Sequence, residues 1–116
     1  MPLILIGIGG FAGAIARYLV DGAVVERTGG GFPWGTLVIN ILGSALIGFF
    51  ATAIKPTPWR QFLMVGVCGG FTTFSSFSLE TLTLLRDGHT ARALTYVALS
   101  VLVCLAAVWA GHTLGE

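Results

Sequence analysis

The stretch Cys68–Glu80, C-G-G-F-T-T-F-S-S-F-S-L-E, concentrates the chemistry-bearing residues of this chain. Five hydroxyl side chains fall between Thr72 and Ser78, interleaved with Phe71, Phe74 and Phe77 and followed by Glu80. Hydroxyls donate hydrogen bonds without a fixed charge, and a phenyl ring has a positive edge. Such groups can face a dehydrated anion at low cost. The paired glycines Gly69 and Gly70 loosen a helix, and the β-branched Thr72 and Thr73 follow at once. If helix resumes beyond them, Phe71, Phe74 and Phe77 share one stripe, and Thr72 or Thr73, Ser76, Glu80 and Thr83 share another. Carbonyls freed at Gly69 and Thr72 suit a cation such as Na⁺, as in the broken helices of transporters. Backbone that leaves helical geometry at membrane depth survives only inside protein or against a wet cavity. An ionisable group such as Glu80 in a membrane segment points to a functional site. The stretch reads as a pore or binding centre.

The rest of the chain must hold that centre in lipid. Of its 116 residues, 55% are hydrophobic and 9% charged, far below the roughly 25% charged residues of soluble domains. A single membrane-embedded domain, residues 1–116, fits this composition. A net charge of +1 gives no basic footprint for nucleic acid. Cys68 and Cys104 both fall in apolar segments, with neither a disulfide framework nor a zinc spacing. Met1-Pro2 lacks the basic start of a secretory signal, so the first segment is expected to be retained.

Four apolar spans are predicted, at about 2–20, 34–54, 59–85 and 93–114, each near the ~20 residues that cross a bilayer. The fold class expected is all-α, a four-helix membrane bundle with the third helix broken mid-membrane. Trp34, Trp59 and Trp109 sit near span ends, as interfacial aromatics do. Arg17, Arg27, Arg86 and Arg92 belong to one side, and Lys55 and Arg60 to the other. Four against two is a weak bias for the positive-inside rule. Insertion both ways up, as an antiparallel dimer, is therefore allowed.

In the first span, Gly7-x-Gly9-x-x-Ala12 imitates a dinucleotide fingerprint, but no βαβ unit follows to give it meaning. Gly9-x-x-x-Gly13 and Gly10-x-x-x-Ala14 instead form a small-residue face for close helix packing. Arg17 either snorkels to the headgroups, lines an anion entrance or pairs with a carboxylate. In the second span Asn40 is an amide deep in hydrocarbon, with Thr36 one turn earlier on the same face. It serves either as interhelical glue or as a pore lining whose NH₂ offers two donors. In the fourth span Tyr96, Ser100 and Cys104 recur every four residues, on one helix face. They form either a polar rail or ordinary small-residue packing.

The motifs G-G-F-A-G-A-I-A-R-Y, G-T-L-V-I-N-I-L-G and G-V-C-G-G-F-T-T-F-S-S-F-S-L-E closely resemble the fluoride-channel family (Fluc, also called CrcB). The resemblance covers spans one to three in order, and the length and four-span layout agree throughout. It implies an antiparallel, dual-topology homodimer in a bacterial inner membrane, with fluoride pores and a structural sodium ion at the interface. By similarity Phe74 and Phe77 are the pore phenylalanines and Asn40 the pore amide. Gly69 and Thr72 supply carbonyls to sodium. Ser76 belongs to the ion pathway, Thr36, Glu80, Tyr96 and Ser100 form a polar track, and Arg17 draws anions into the vestibule. Cys104 departs from the pattern, standing where a hydroxyl is expected. No organic cofactor and no catalysis are implied.

Two rivals differ in testable ways. A small multidrug antiporter needs a carboxylate in its first span, where this chain has none. A non-conducting assembly subunit would tolerate replacement of Phe74 and Phe77. His89 and His112 are isolated near span ends and offer little to an enzyme.

Overall fold

A computed structural model describes residues 2–116 as helices joined by short turns. The order is α1 (Pro2–Thr28), α2 (Trp34–Ala53), α3 (Pro58–Gln61), a π-helical segment (Phe62–Cys68), α4 (Gly69–Phe71), α5 (Phe74–Arg86) and α6 (Thr90–Gly115). Four helical stretches are long and apolar enough to cross a membrane: Pro2–Thr28, Trp34–Ala53, Pro58–Arg86 and Thr90–Gly115.

α1 runs past residue 20, through residues that the sequence assigned to a connection. Its 27 residues span about 40 Å at 1.5 Å per residue, more than the ~30 Å of hydrocarbon. Asp21, Glu26 and Arg27 mark where polarity resumes, not where the helix ends. The stop comes from Gly29 and Gly30, with φ of 80° and 79°. Gly29 N–H bonds the Val25 carbonyl at 2.9 Å, the single-bond αL ending. α5 ends on a Schellman motif: His89 N–H reaches Leu84 O at 2.8 Å, Gly88 N–H reaches Leu85 O at 3.2 Å, and Gly88 has φ 84°. α3 opens on Thr57, whose hydroxyl accepts from Arg60 N–H at 3.4 Å, followed by Pro58, a residue well suited to a first helical position.

Two tight pairings build the bundle. α1 packs against residues 58–71, and α2 packs against α6. A Cβ at Gly9 would lie 2.6 Å from Phe62 O, one at Gly66 2.8 Å from Ile6 O, and one at Gly70 2.5 Å from Gly10 O. Only hydrogen fits there, and the backbones touch. Gly48, Gly111 and Gly115 do the same between α2 and α6, where Gly115 would meet Phe49 O at 2.6 Å. Thr52 adds a hydroxyl bond to His112 O at 2.8 Å. The third span therefore starts against α1, whereas α5 packs against α6 and α2. The chain changes partner between α4 and α5. Leu37, Leu84, Ala93 and Tyr96 form the small buried core beneath that crossing, with Phe77 against it.

Candidate functional site

The crossing point is two residues of extended backbone. Thr72 has φ −81° and ψ 158°, and Thr73 has φ −150° and ψ 115°. Helical hydrogen bonding lapses there, and α2 supplies the replacement. Asn40 Nδ2 donates to Thr73 O at 3.1 Å, while Thr73 N–H donates to Asn40 Oδ1 at 2.9 Å. One amide thus replaces both partners that the helix withdraws from Thr73. Thr73 then caps α5, its hydroxyl accepting from Ser76 N–H at 3.0 Å, a standard way to satisfy a first-turn donor. Thr72 fits its side chain into the notch left by Gly43 on α2, and its Oγ1 donates to Cys68 O at 2.9 Å.

Each alternative left open for Asn40 has a structural counterpart. Its amide is glue, but to backbone, and only one of its two N–H donors is engaged by Thr73. It also lines a groove of about 450 Å³ with Phe74, Phe77, Ser100 and Cys104. Arg17 does not simply reach for headgroups: its Nε donates to Gly70 O at 3.1 Å, tying α1 to α4.

The phenylalanine stripe does not run through the crossing. Phe71 is buried, at 9% exposure, and Phe74 is 78% exposed, because the two extended residues rotate α5 relative to α4. Phe74 and Phe77 stay together, ring centroids 5.3 Å apart, and Phe77 leans on Tyr96 at 5.1 Å. The hydroxyl stripe divides as well. Thr83 bonds back to Leu79 O in its own helix, and half-buried Ser76 stays in the first turn of α5.

Behind Phe77, three helices meet at one carboxylate. Thr36 Oγ1 of α2 donates to Glu80 Oε2 at 3.1 Å, and Tyr96 OH of α6 donates to Glu80 Oε1 at 2.9 Å. A hydroxyl carries one proton, so both donors are engaged by Glu80. Ser100, one turn along α6 from Tyr96, is different. It is buried at 8% exposure, its Oγ has no hydrogen-bond partner, and it lines the groove.

The backbone around the crossing sorts its carbonyls. Cys68 O serves Thr72 N–H and Gly70 O serves Arg17. Gly69 O loses its helical donor, since Thr73 N–H turns to Asn40. Thr72 O precedes the cap of α5 and lies outside its ladder. These are hard, uncharged oxygen donors. Among the described residues no group of three or more His, Cys, Asp or Glu is placed to hold a metal, so carbonyls are the donors this region offers to a hard cation.

A family profile described as CrcB-like protein, camphor resistance (CrcB), matches residues 4–112. The chain belongs to this family. CrcB-like relatives include a protein of Rhodospirillum rubrum that is 51% identical, over 97% of this chain and 92% of its own length. One of Methylocella silvestris is 52% identical over 97% and 91%, and one of Opitutus terrae is 52% identical over 92% and 86%. All three are named Fluoride-specific ion channel FluC. The family is one of ion channels, not enzymes, and with its four spanning helices this CrcB-like chain is a multi-pass membrane protein.

Several roles at the site were not assigned from the sequence. Thr73 as cap and Asn40 partner, Gly43 as the notch for Thr72, and Ser44 and Cys68 in the groove wall all belong to it. One signal was available for the first: a threonine immediately before the apolar Phe74, where helix resumes, is the N-cap pattern.

Proposed function

We propose that this protein is a fluoride-selective passive channel that lets cytoplasmic fluoride leave the cell. The observation that carries the reading is the paired, groove-lining Phe74 and Phe77 beside the Asn40 amide, in a chain about half identical to proteins named fluoride-specific channels. Fluoride holds its water tightly, so a pore must replace hydration with donors and positive edges rather than with a trapping charge. The groove offers phenyl rings, an amide N–H and the unpartnered Ser100 hydroxyl. Ser76, Thr36, Glu80, Tyr96 and Arg17 complete the ion pathway, with Glu80 holding the orientation of Thr36 and Tyr96. Hydrogen fluoride enters as a neutral weak acid and dissociates inside, so a passive route suffices to lower the internal concentration.

The unit of function in this proposal is an antiparallel, dual-topology homodimer in the bacterial inner membrane, with the interruption at Thr72–Thr73 lying at membrane depth. A structural sodium ion sits at the dimer interface, held by the carbonyls of Gly69 and Thr72 from both subunits. Sodium supplies a positive centre that draws together oxygen dipoles which otherwise repel. The carbonyls deprived of helical donors support this, because they match the hard-oxygen preference of such a cation.

The test is passive efflux from liposomes containing the purified protein, followed with a fluoride electrode, with chloride in parallel. Fluoride release without chloride release is expected. A folded protein that releases neither ion would overturn the proposal.

A further inference from the structure

A second pocket, of about 510 Å³, lies where the third span begins, lined by Thr57, Arg60, Gln61, Met64, Val65 and Pro2 together with neighbouring prolines. Pro2 opens α1 and Pro58 opens α3, so the pocket sits at the starts of two spanning stretches. Trp59, beside Arg60, is exposed, and a tryptophan at a span end marks the level of the lipid headgroups. Arg60 is the only charge in the lining and forms no ion pair among the described residues. Its guanidinium is partly engaged. Nη2 donates to Ala51 O at 3.1 Å, which fixes the head against the end of α2, and Nε is closed off from the surface without a partner. Among the described residues Nη1 has neither a partner nor complete burial, so it is the nitrogen left for a ligand. Thr57 Oγ1 already accepts from Arg60 N–H, and its proton remains to be donated. Gln61 is exposed and brings an amide NH₂ with two further donors. One anchored cation and two neutral donors thus border the same space as the apolar Pro2, Met64 and Val65.

We propose that this pocket holds the headgroup of an anionic phospholipid such as phosphatidylglycerol, with Arg60 Nη1, Thr57 and Gln61 donating to its phosphate oxygens. The glycerol and the first acyl carbons lie along Met64 and Val65. A guanidinium suits phosphate because it is always charged and its N–H donors are directed. Basic pockets between spanning helices are places where lipid headgroups bind. A zwitterionic lipid carries its own ammonium group, and the lining has no carboxylate to receive it; phosphatidylglycerol carries none. A soluble phosphate would satisfy the donors and leave the apolar wall in water. The pocket shares no lining residue with the groove beside Phe74 and Phe77, so the site stands whether or not the chain conducts fluoride.

The test reconstitutes the full chain in vesicles of equal parts phosphatidylglycerol and phosphatidylcholine, extracts it in mild detergent and counts its bound lipids by native mass spectrometry. Phosphatidylglycerol should be retained in preference to phosphatidylcholine by about fivefold, the order that one basic side chain contributes at a membrane surface. Arg60→Gln should abolish the preference, but it also removes the bond to Ala51 O. Substitutions at Gln61 leave that bond in place. Gln61→Glu sets a carboxylate in the same pocket and should bring the two lipids to parity. Gln61→Lys adds a second cation and should raise the preference, a gain that misfolding cannot mimic. Added sn-glycerol 3-phosphate, which carries the phosphate without the chains, should leave the bound lipid in place. Equal retention of both lipids by the unaltered protein, or a ratio unchanged across the Gln61 variants, overturns the site. Displacement by glycerol phosphate overturns the lipid as occupant and points to a soluble phosphate. Fluoride efflux is measured in none of these arms, so failure here leaves the channel proposal untouched.

Discussion

Asn40 shows how much one side chain carries here. Its amide makes two hydrogen bonds to Thr73, as donor to O and acceptor from N–H. Asn40→Ala leaves both backbone groups without partners, and an unsatisfied buried polar group costs about 1–3 kcal/mol. The variant should melt earlier in detergent, and its efflux should fall as α5 loses its placement. An unchanged melting temperature would mean that the crossing holds itself. The phenylalanines test the opposite property. Phe74 is 78% exposed and contributes little burial within the subunit, so Phe74→Ile should leave folding intact while abolishing fluoride flux. Phe77→Ile should do the same to flux at some cost to the contact with Tyr96. Full flux in either variant removes that ring from the pathway.

At the scale of elements, glycine decides which helices can touch. A Cβ at Gly70 would lie 2.5 Å from Gly10 O, and nothing lies within 4 Å of one at Gly7. Gly70→Ala must push α1 away from α4, and overpacking typically costs about 1–3 kcal/mol. Gly7→Ala should be neutral or slightly stabilising. Thermal unfolding of the two variants in one detergent checks the contrast, and equal losses would contradict the packing described. The same elements show what a sequence makes legible. Four spans were readable because apolar length is a property of the chain itself. The small-residue face of α1 was readable for the same reason, through the spacing of Gly9 and Gly13. The end of α1 was not, because Asp21 and Glu26 announce the edge of hydrocarbon while Gly29 announces the end of the helix. Nor was the division of the phenylalanine stripe between Phe71 and Phe74. Helical periodicity carries no information across two extended residues, and the angle between α4 and α5 is set by Asn40 and Gly43 on another helix. Residue types at the site could be read from sequence; their pairing needed the third dimension.

At the scale of the whole molecule, the proposed dimer would set the open groove and the exposed Phe74 toward a second copy, and sodium tests that proposal. A ligand that binds only the assembled state stabilises it by mass action. If Gly69 and Thr72 carbonyls from two subunits share a sodium ion, dimer stability should rise with sodium concentration and not with an equal concentration of a large organic cation. A dimer equally stable in sodium-free buffer would remove the ion from the proposal.

Orientation is the remaining whole-molecule question, and charge frames it. Arg17, Arg27, Arg86 and Arg92 stand against Lys55 and Arg60; Arg17 is bonded to Gly70 O within the bundle and so weighs little in the count. Loop charges orient a membrane protein through their difference, and three against two barely favours either direction. Antiparallel pairing requires both orientations in one membrane, so the near-balance is what the proposed dimer needs. A cysteine placed at Lys55, in the turn between α2 and α3, should react with a membrane-impermeant maleimide from both faces of the cell membrane, in similar amounts. Adding two lysines to that turn should drive the population to one orientation and reduce fluoride resistance, because partners of the opposite orientation are lost. Co-expression of a copy biased the other way should restore it. Labelling from one face only in the unaltered chain would leave the antiparallel dimer without its prerequisite.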